Sequence, residues 1–343
     1  MNRPLVPEDV IRAQPIRPLV RAVIATALAS MRKPNLPDRV ARELWGNDRN
    51  VELVLRAAVS PTTLSSAPGV AQIAQAFLAT LVPVSAGADL LGRGVQLSFD
   101  GAAQISLPAL TTPTADFVGE GQSIPAVAAT SSAVTLVPHK LGVLTSLSAE
   151  MLRSPAAEQL VRQVLIDATG PAIDKVLLSA NPAAADRPAG ILNGVAGLTP
   201  TAAGGAKSEI LVDDLQKLAA AIAPVAGNGN IALVASPDAY AALVMRLPRA
   251  VEWPVLTSSS LATKTVIALA TNALVSVVDG TPTIDARQDV DWISDTAPPS
   301  DGSLGATRYS SFQKDVVALR LRWPISWCLR TPAAIAWMTG VNW

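Results

Sequence analysis

The sequence predicts an α+β fold, with helix-forming and strand-forming stretches segregated along 343 residues. Three observations carry that expectation. Val95, Leu97 and Phe99 alternate with Gln96 and Ser98, the period-two mark of a half-buried strand. Val161, Val164, Leu165, Ala168, Ala172, Val176 and Leu177 form one apolar stripe at helical spacing. Beyond residue 180, short helical and strand patterns alternate to the end of the chain.

Residues 1–68 hold ten Lys or Arg against six Asp or Glu and contain two helical patterns. One is Leu19, Val23, Ala27 and Met31. The other runs from Asp38, a plausible N-cap after Pro37, through Val40 and Leu44 and, past Gly46-Asn47, to Val51, Val54 and Leu55. Arg12, Arg17 and Arg21 precede an apolar run containing Ala27-Leu28-Ala29, a triplet that resembles a signal-peptidase site. The long, proline-studded leader suits an amphipathic N-terminal arm better than a signal peptide. The stretch closes in SPTTLSSAPG, a linker composition.

Residues 69–148 are nearly free of charge and read as strand-like. Asp100-Gly101 is a turn signal that would join 95–99 to the alternating Ile105 and Leu107 as a hairpin. A second extended run spans Val134 to the polar cap Ser148, with Pro138 confining its part to an edge or bulge. Residues 149–180 are the clearest helix. Ser154 can cap it, Pro155 fits the first turn, and Glu158 suits the positive N-terminal end. Arg162, Asp167, Asp174 and Lys175 fall off the apolar stripe, and Gly170-Pro171 predicts a kink or brief break.

Further on, Asp213–Pro224 reads as a helix capped from Val212-Asp213, with Leu215, Leu218, Ala219 and Ile222 on one face. Ile231–Ala235 is a short buried strand. Ser236-Pro237-Asp238 starts a helix through Tyr240, Leu243, Val244 and Leu247. Two strands, Val316–Leu329 and Ala333–Val341, close the chain around Arg330-Thr331-Pro332. No repeat of fixed period is visible.

Composition excludes much chemistry. Half the residues are hydrophobic and only 16% are charged, against roughly 25% in ordinary soluble domains. The 27 basic and 27 acidic side chains cancel, which argues against a protein that neutralises phosphates. One cysteine, Cys328, excludes an internal disulfide framework and a Cys-based zinc site; one histidine, His139, excludes two-His metal motifs. The longest uncharged stretch, between Arg56 and Asp89, is broken by Pro61, Pro68 and Pro83, so it supplies no membrane span. Residues 265–278 are apolar but too short.

The candidate chemical groups read as structural. His139 lies in an extended run with no orienting carboxylate or nucleophile beside it in the sequence. Cys328, between Trp327 and Leu329, suits a buried, inert thiol. Gly227-Asn-Gly229-Asn-Ile-Ala232 matches a dinucleotide fingerprint on paper, yet it precedes a strand instead of opening a helix, and reads as a turn. Asp213-Asp214 suit a cap, and Asp289 with Asp291 a solvated strand edge. Trp323, Trp327, Trp337 and Trp343 suit core or interface anchors. No catalytic, cofactor-binding or metal residue is expected.

A series of pieces carries a resemblance. Ala115-Asp-Phe-Val-Gly-Glu-Gly-Gln-Ser-Ile-Pro125 is followed by Lys140-Leu-Gly-Val-Leu-Thr-Ser-Leu-Ser-Ala-Glu-Met-Leu152. Then come the long helical pattern with Ala172-Ile-Asp-Lys-Val-Leu-Leu178, Pro188-Ala-Gly-Ile-Leu-Asn193 and Ile231-Ala-Leu-Val-Ala-Ser-Pro-Asp238, before a closing Arg330-Thr-Pro-Ala-Ala-Ile-Ala336. The series resembles tailed-bacteriophage major capsid proteins of the Hong Kong 97-type fold. The resemblance covers roughly residues 60–343.

It implies an α+β subunit with an N-terminal arm or scaffolding-like segment at 1–68 and a peripheral domain beginning at 69–205. Within that domain it places an extended loop at 93–137 and a spine helix at 155–179. An axial domain would occupy 206–300, and peripheral strands 301–343. The implied role is a non-enzymatic head protein without cofactors. It would self-assemble into hexamers and pentamers around double-stranded DNA, without sequence-specific binding and without a membrane. Implied partners are a portal, a scaffolding segment, a maturation protease and decoration proteins, with assembly in the bacterial host cytoplasm and residence in the virion. Some relatives weld their shells through a lysine where this chain has Ile124, so no such cross-link is expected. Any maturation cut is expected in the linker 59–69. Arg3, Arg12, Arg17, Arg21, Arg32 and Lys33 are read as solvating and packing groups ahead of assembly contacts. The alternatives are an encapsulin-type nanocompartment shell and, resting on His139 alone, an α/β hydrolase.

Overall fold

The computed structural model describes residues 17–31, 36–59, 70–99, 104–110, 131–227, 230–247, 252–278, 283–288, 290–293, 308–311 and 315–343. Helix α1 (Arg17–Met31) buries Leu19, Val20, Ala22, Val23, Ile24, Ala25, Ala27, Leu28 and Ala29, and only Arg17 on it is exposed. An amphipathic helix keeps one face in water; this one is sealed on nearly every side, which corrects the expectation of an amphipathic arm. Helices α2 (Pro37–Trp45) and α3 (Arg49–Val59) are separate. They part at Gly46, whose φ of +71° turns the chain and whose N–H donates to the Arg42 carbonyl at 2.9 Å. Leu36, not Asp38, is the N-cap; Pro37 opens the helix and Asp38 sits in its first turn.

The charge-free stretch read as strand contains two helices, α4 (Val70–Leu81) and α5 (Ala86–Arg93). In α4, without charges, no charged face marks the 3.6-residue period, although Phe77, Leu78 and Leu81 are buried at helical spacing. Ser85 caps α5, its Oγ accepting from the Ala88 N–H at 3.0 Å. Strands β1 (Val95–Leu97), β2 (Ile105–Leu110), β3 (Ser131–Leu136) and β4 (His139–Ser148) follow. The hairpin expected across Asp100-Gly101 does not form. β2 pairs antiparallel with β3, Ile105 opposite Leu136 and Leu110 opposite Ser131, while β1 pairs in parallel with a strand at 274–278. The turn dipeptide itself lies outside the described residues. Val137-Pro138 breaks the run expected from 134 to 148.

Ser148 does cap: its Oγ accepts from the Met151 N–H at 3.2 Å and opens the short α6 (Ala149–Arg153). Helix α7 (Ala157–Leu177) then runs through Gly170-Pro171 without the expected break. Pro171 and Asp167, four residues earlier, are both exposed, so the carbonyl that loses its partner lies on the solvent side. The buried row of α7 is Ala157, Val161, Leu165, Ile166, Thr169, Ile173 and Leu177. Asp174 belongs to it too, only 4% exposed, which corrects its assignment to the polar face.

Helix α8 (Lys207–Ala226) starts six residues before the expected Asp213, from an Ala206 N-cap without a side-chain bond. Then come β5 (Ile231–Ala235), α9 (Pro237–Arg246), β6 (Val255–Thr257), β7 (Thr265–Ala270) and β8 (Leu274–Val278). The described chain closes with β9 (Thr283–Arg287), β10 (Asp291–Ile293), β11 (Arg308–Ser310), β12 (Val316–Leu329) and β13 (Ile335–Thr339). β12 has its expected bounds; β13 is shorter than expected because Pro332–Ala334 form a 3-10 turn.

The chain divides into two compact units. The first comprises Met1–Val84, Lys140–Ala172 and Asp279–Pro324. In it α1 packs on α2, α3, α6 and β9, and β9 pairs antiparallel with the first half of β12. The Arg320 and Arg322 guanidinium groups both reach the Asp285 carboxylate, at 2.8 and 3.3 Å. Phe77 meets the fully buried Trp323 edge-on, centroids 5.0 Å apart.

The second unit comprises Ser85–His139, Ile173–Val278 and Ile325–Trp343. Its four-stranded sheet has the order β13-β7-β5-β6, with only β5 and β6 parallel. Helix α8 covers β7 and β13, and α9 packs on β5, β6 and α8. Strands β5 and β7 are buried at every position, as a sheet covered on both faces requires. Replacing Phe77 with Ala removes the edge-on partner of Trp323 and leaves a cavity. We expect about 3–4 kcal/mol less stability, read from urea unfolding followed by tryptophan fluorescence.

Candidate functional site

The groups singled out in the sequence are dispersed. His139 opens β4, and its Nδ1 is buried without a hydrogen-bond partner among the described residues. Cys328 is half-buried in β12, and burial pushes its thiol up to about 11 against the pull of the Arg330 charge. Gly227 closes α8 with φ +56°, as a turn glycine does; Gly229 lies outside the described residues. Asp291 begins β10, and Asp289 is not among the described residues. Among the described residues no group of His, Cys, Asp or Glu is placed to hold a metal ion. No described helix is long and apolar enough to cross a membrane.

Polar chemistry gathers instead inside the second unit, around two buried carboxyl groups. The Asp174 Oδ1 accepts from the Ser85 hydroxyl at 2.5 Å and from the Gly87 N–H at 2.8 Å; its Oδ2 accepts from the Ser258 hydroxyl at 2.6 Å. A side chain on Gly87 would put its Cβ 2.8 Å from Asp174 Oδ1, so only glycine allows this approach. Asp214, fully buried, was read with Asp213 as a cap; the helix begins earlier, at Lys207, so both lie inside it. Its Oδ1 accepts from the Thr201 N–H at 2.7 Å and the Thr201 hydroxyl at 2.6 Å. Its Oδ2 accepts from the Trp343 indole N–H at 3.0 Å.

Two more indoles make the same kind of bond. Trp327 donates to the Ala189 carbonyl at 2.9 Å, and Trp337 to the Val195 carbonyl at 3.0 Å. Three C-terminal tryptophans of this unit thereby fasten the segment 189–214. That segment is itself folded back on the end of α7. The Ile191 N–H donates to the Leu177 carbonyl at 2.8 Å, and a Cβ on Gly190 would sit 1.9 Å from the Ser179 carbonyl oxygen. Beside this turn lies a recess of about 230 Å³ lined by residues including Gly190, Asn193, Val195, Trp327 and Cys328.

The surface carries the opposite chemistry. Tyr240 and Val244, read in the sequence as part of this helix, stand one turn apart on the outer face of α9 and are 37% and 58% exposed; Met245 beside them is 79% exposed. Only Leu243 of the residues read there is fully buried. Asp238, at the start of the helix, has its carboxyl held below the usual range by the Ser236 hydroxyl bond and the Lys264 N–H, which donates at 2.8 Å. In the first unit, Arg21 reaches Glu158 and Asp48, each at 3.1 Å, with its guanidinium 5.4 Å over the Trp45 ring.

Of the residues expected to be inert, the tryptophans are anchors, as read. Asp174, Ser85, Ser258 and Gly190 were missed. The one signal for Gly190 was the Pro-Ala-Gly-Ile-Leu-Asn string; nothing local marks Asp174, whose donors lie more than 80 positions away. Asp174→Ala strands two hydroxyls and the Gly87 N–H in the interior. We expect about 3 kcal/mol lost in urea unfolding, with Asp174→Asn costing less. The raised Cys328 thiol stays protonated up to about pH 11, so its alkylation at pH 8 should be far slower than that of a small thiol and should accelerate as pH rises.

Comparison with known proteins gives this arrangement a family. A model described as "Phage capsid family" matches residues 72–244. A capsid polyprotein of Pseudomonas phage PAJU2 is 26% identical over 254 residues, covering 66% of this chain and 37% of that protein. The chain therefore spans little more than a third of that curated relative's length. A solved structure from Mycobacterium phage Bobi is 17% identical with a TM-score of 0.52, covering 73% of this chain and 89% of that one. Another, of a satellite phage P4 procapsid including size determination (Sid) protein, is 9% identical with a TM-score of 0.51, covering 86% and 98%. The fold is thus the α+β Hong Kong 97 type, and with half its length matched by the family model this chain belongs to the phage capsid family.

Proposed function

We propose that this chain is the major head subunit of a tailed phage or prophage, assembling into hexamers and pentamers of an icosahedral shell around double-stranded DNA. The observation that carries the reading is the family match over 72–244, which includes the helix bearing the exposed Tyr240 and Val244. A shell subunit needs lateral contacts with copies of itself, and obligate contacts of that kind are rich in apolar surface. An outward row of tyrosine, valine and methionine supplies it. The small share of charged residues fits a surface intended largely for other copies.

In this reading 206–300 is the axial domain, 69–205 with 301–343 the peripheral domain, α7 its spine, and 93–137 the extended loop over a neighbouring subunit. The antiparallel β2–β3 ribbon supports the loop assignment. The protein acts mechanically, not as an enzyme, and meets packaged DNA without reading its sequence, in keeping with its zero net charge. Portal, maturation protease and decoration proteins are the partners this role calls for, with assembly in the host cytoplasm and residence in the virion. Ile124 at the cross-linking position, outside the described residues, leaves the shell held by non-covalent contacts. An encapsulin-type shell has the same kind of subunit, and a hydrolase finds no oriented His139.

Electron microscopy of the expressed protein, alone and with its scaffolding or protease partners, tests the reading. We expect closed shells. The double variant Val244→Asp, Met245→Glu should stay folded by circular dichroism yet fail to close shells, because it places charge on the outer face alone.

A further inference from the structure

The N-terminal segment does not sit in the fold as a detachable piece would. Helix α1 buries nine apolar side chains and exposes only Arg17. Helices α2 and α3 add Val40, Ala41, Val51, Val54 and Leu55 to the buried set. One side of α1 is packed by α2 and α3, and elsewhere it packs on α6 and β9, which come from distant parts of the chain. The contact is also polar and directional. Arg17 and Arg21 both reach the Glu158 carboxylate of α7, at 3.3 and 3.1 Å, while Arg21 turns its second arm to Asp48 at 3.1 Å. Arg21 is thus shared between the N-terminal helices and the start of the long helix.

We propose that residues 17–59 are a permanent, non-covalently held layer of the shell subunit, retained on the first unit even when the chain is cut between 59 and 70. The proposal departs from what the capsid resemblance implies for such a segment, namely a scaffold that leaves after cleavage. Departure with α2 and α3 attached would carry the side of α1 that packs on α6 and β9 into water and strip those two elements of their cover. An interface built to let go is small and wet; this one joins buried apolar side chains of α1 to two elements distant in the chain and adds the pairs of Arg17 and Arg21 with Glu158. Cleavage of the linker would therefore free the new chain ends without freeing the helices.

The test uses the full chain with a site-specific protease sequence replacing residues 62–66. After cutting, under native conditions, the two fragments should co-migrate at equal ratio through size-exclusion chromatography and separate only in denaturant. Elution of the N-terminal fragment by itself overturns the proposal. A second variant guards against an uncut linker: Ile24→Asp in the intact chain should shift thermal unfolding downward or abolish soluble protein. An unfolding temperature equal to that of the parent overturns the proposal equally. Both measurements are made on unassembled protein, so their failure is distinguishable from a failure to form shells.

Discussion

The second unit is organised by a carboxyl group that has no access to water. Asp174 is 4% exposed, and a buried polar group is tolerated only where it finds hydrogen-bond partners. Its partners come from two places far away in the chain. Ser85 and Gly87 belong to the start of α5, and Ser258 follows β6. Each position is thereby fixed relative to the last turns of α7. The Ser85 hydroxyl also accepts from Ala88, so the bond that satisfies Asp174 starts the helix. At the other end of α5, Gly94 passes so near Leu274 that a Cβ would lie 2.5 Å from its carbonyl, and β1 begins there in parallel register with β8. One buried acid therefore determines where a strand can lie.

The same logic governs the closing of the chain. The turn at Gly190 folds the chain back onto Leu177 and Ser179, then runs in irregular conformation to Lys207. Irregular backbone lacks partners of its own, and its carbonyls need donors when covered. Trp327 and Trp337 supply them to Ala189 and Val195 while burying most of their rings. Trp343 does the reverse at Asp214, giving a donor to a buried acid. An indole suits both tasks because it carries a single N–H on a large apolar body. Of the four tryptophans noticed in the sequence as a cluster, three are separate fastenings along one segment, and Trp323 packs on Phe77 in the first unit.

What was legible in the sequence follows from the range of the interactions. β12 and β5 were readable because their runs of valine, isoleucine and leucine state their own burial. Ser148 was readable because a cap acts within three residues. The false hairpin at Asp100-Gly101 shows the limit: the turn signal is local, but the partner of β1 lies at Val275–Val277. Helix α4 was missed because, with no charge between Arg56 and Asp89, nothing contrasts with its apolar face; α5 was missed although Asp89 and Arg93 stand four apart in it. Asp174 was placed off the apolar stripe by the habit of its residue type, and Asp214 was read as part of a cap; donors elsewhere in the chain hold both inside. For Tyr240 and Val244 the helix was read correctly, but spacing alone cannot say which of its faces is buried.

That division between inside and outside bears on how a shell subunit works. Hydrogen bonds are directional, and misplacing a buried one costs free energy comparable to a whole surface contact. Apolar contacts are nearly indifferent to small rotations. A closed shell repeats one interface many times, so angular error inside the subunit accumulates around it. Directional bonds within the second unit, at Asp174, Asp214 and three indoles, hold its parts at fixed angles. The adaptable chemistry, Val244 and Met245, is kept on its exterior; under the proposed function that face would meet neighbouring copies at different angles. Methionine, unbranched and polarizable, is well suited to that position. Inside and outside thus carry different chemistry: Asp174 and Asp214 take directional bonds in the interior, and the exposed Tyr240, Val244 and Met245 of α9 stay free of charge.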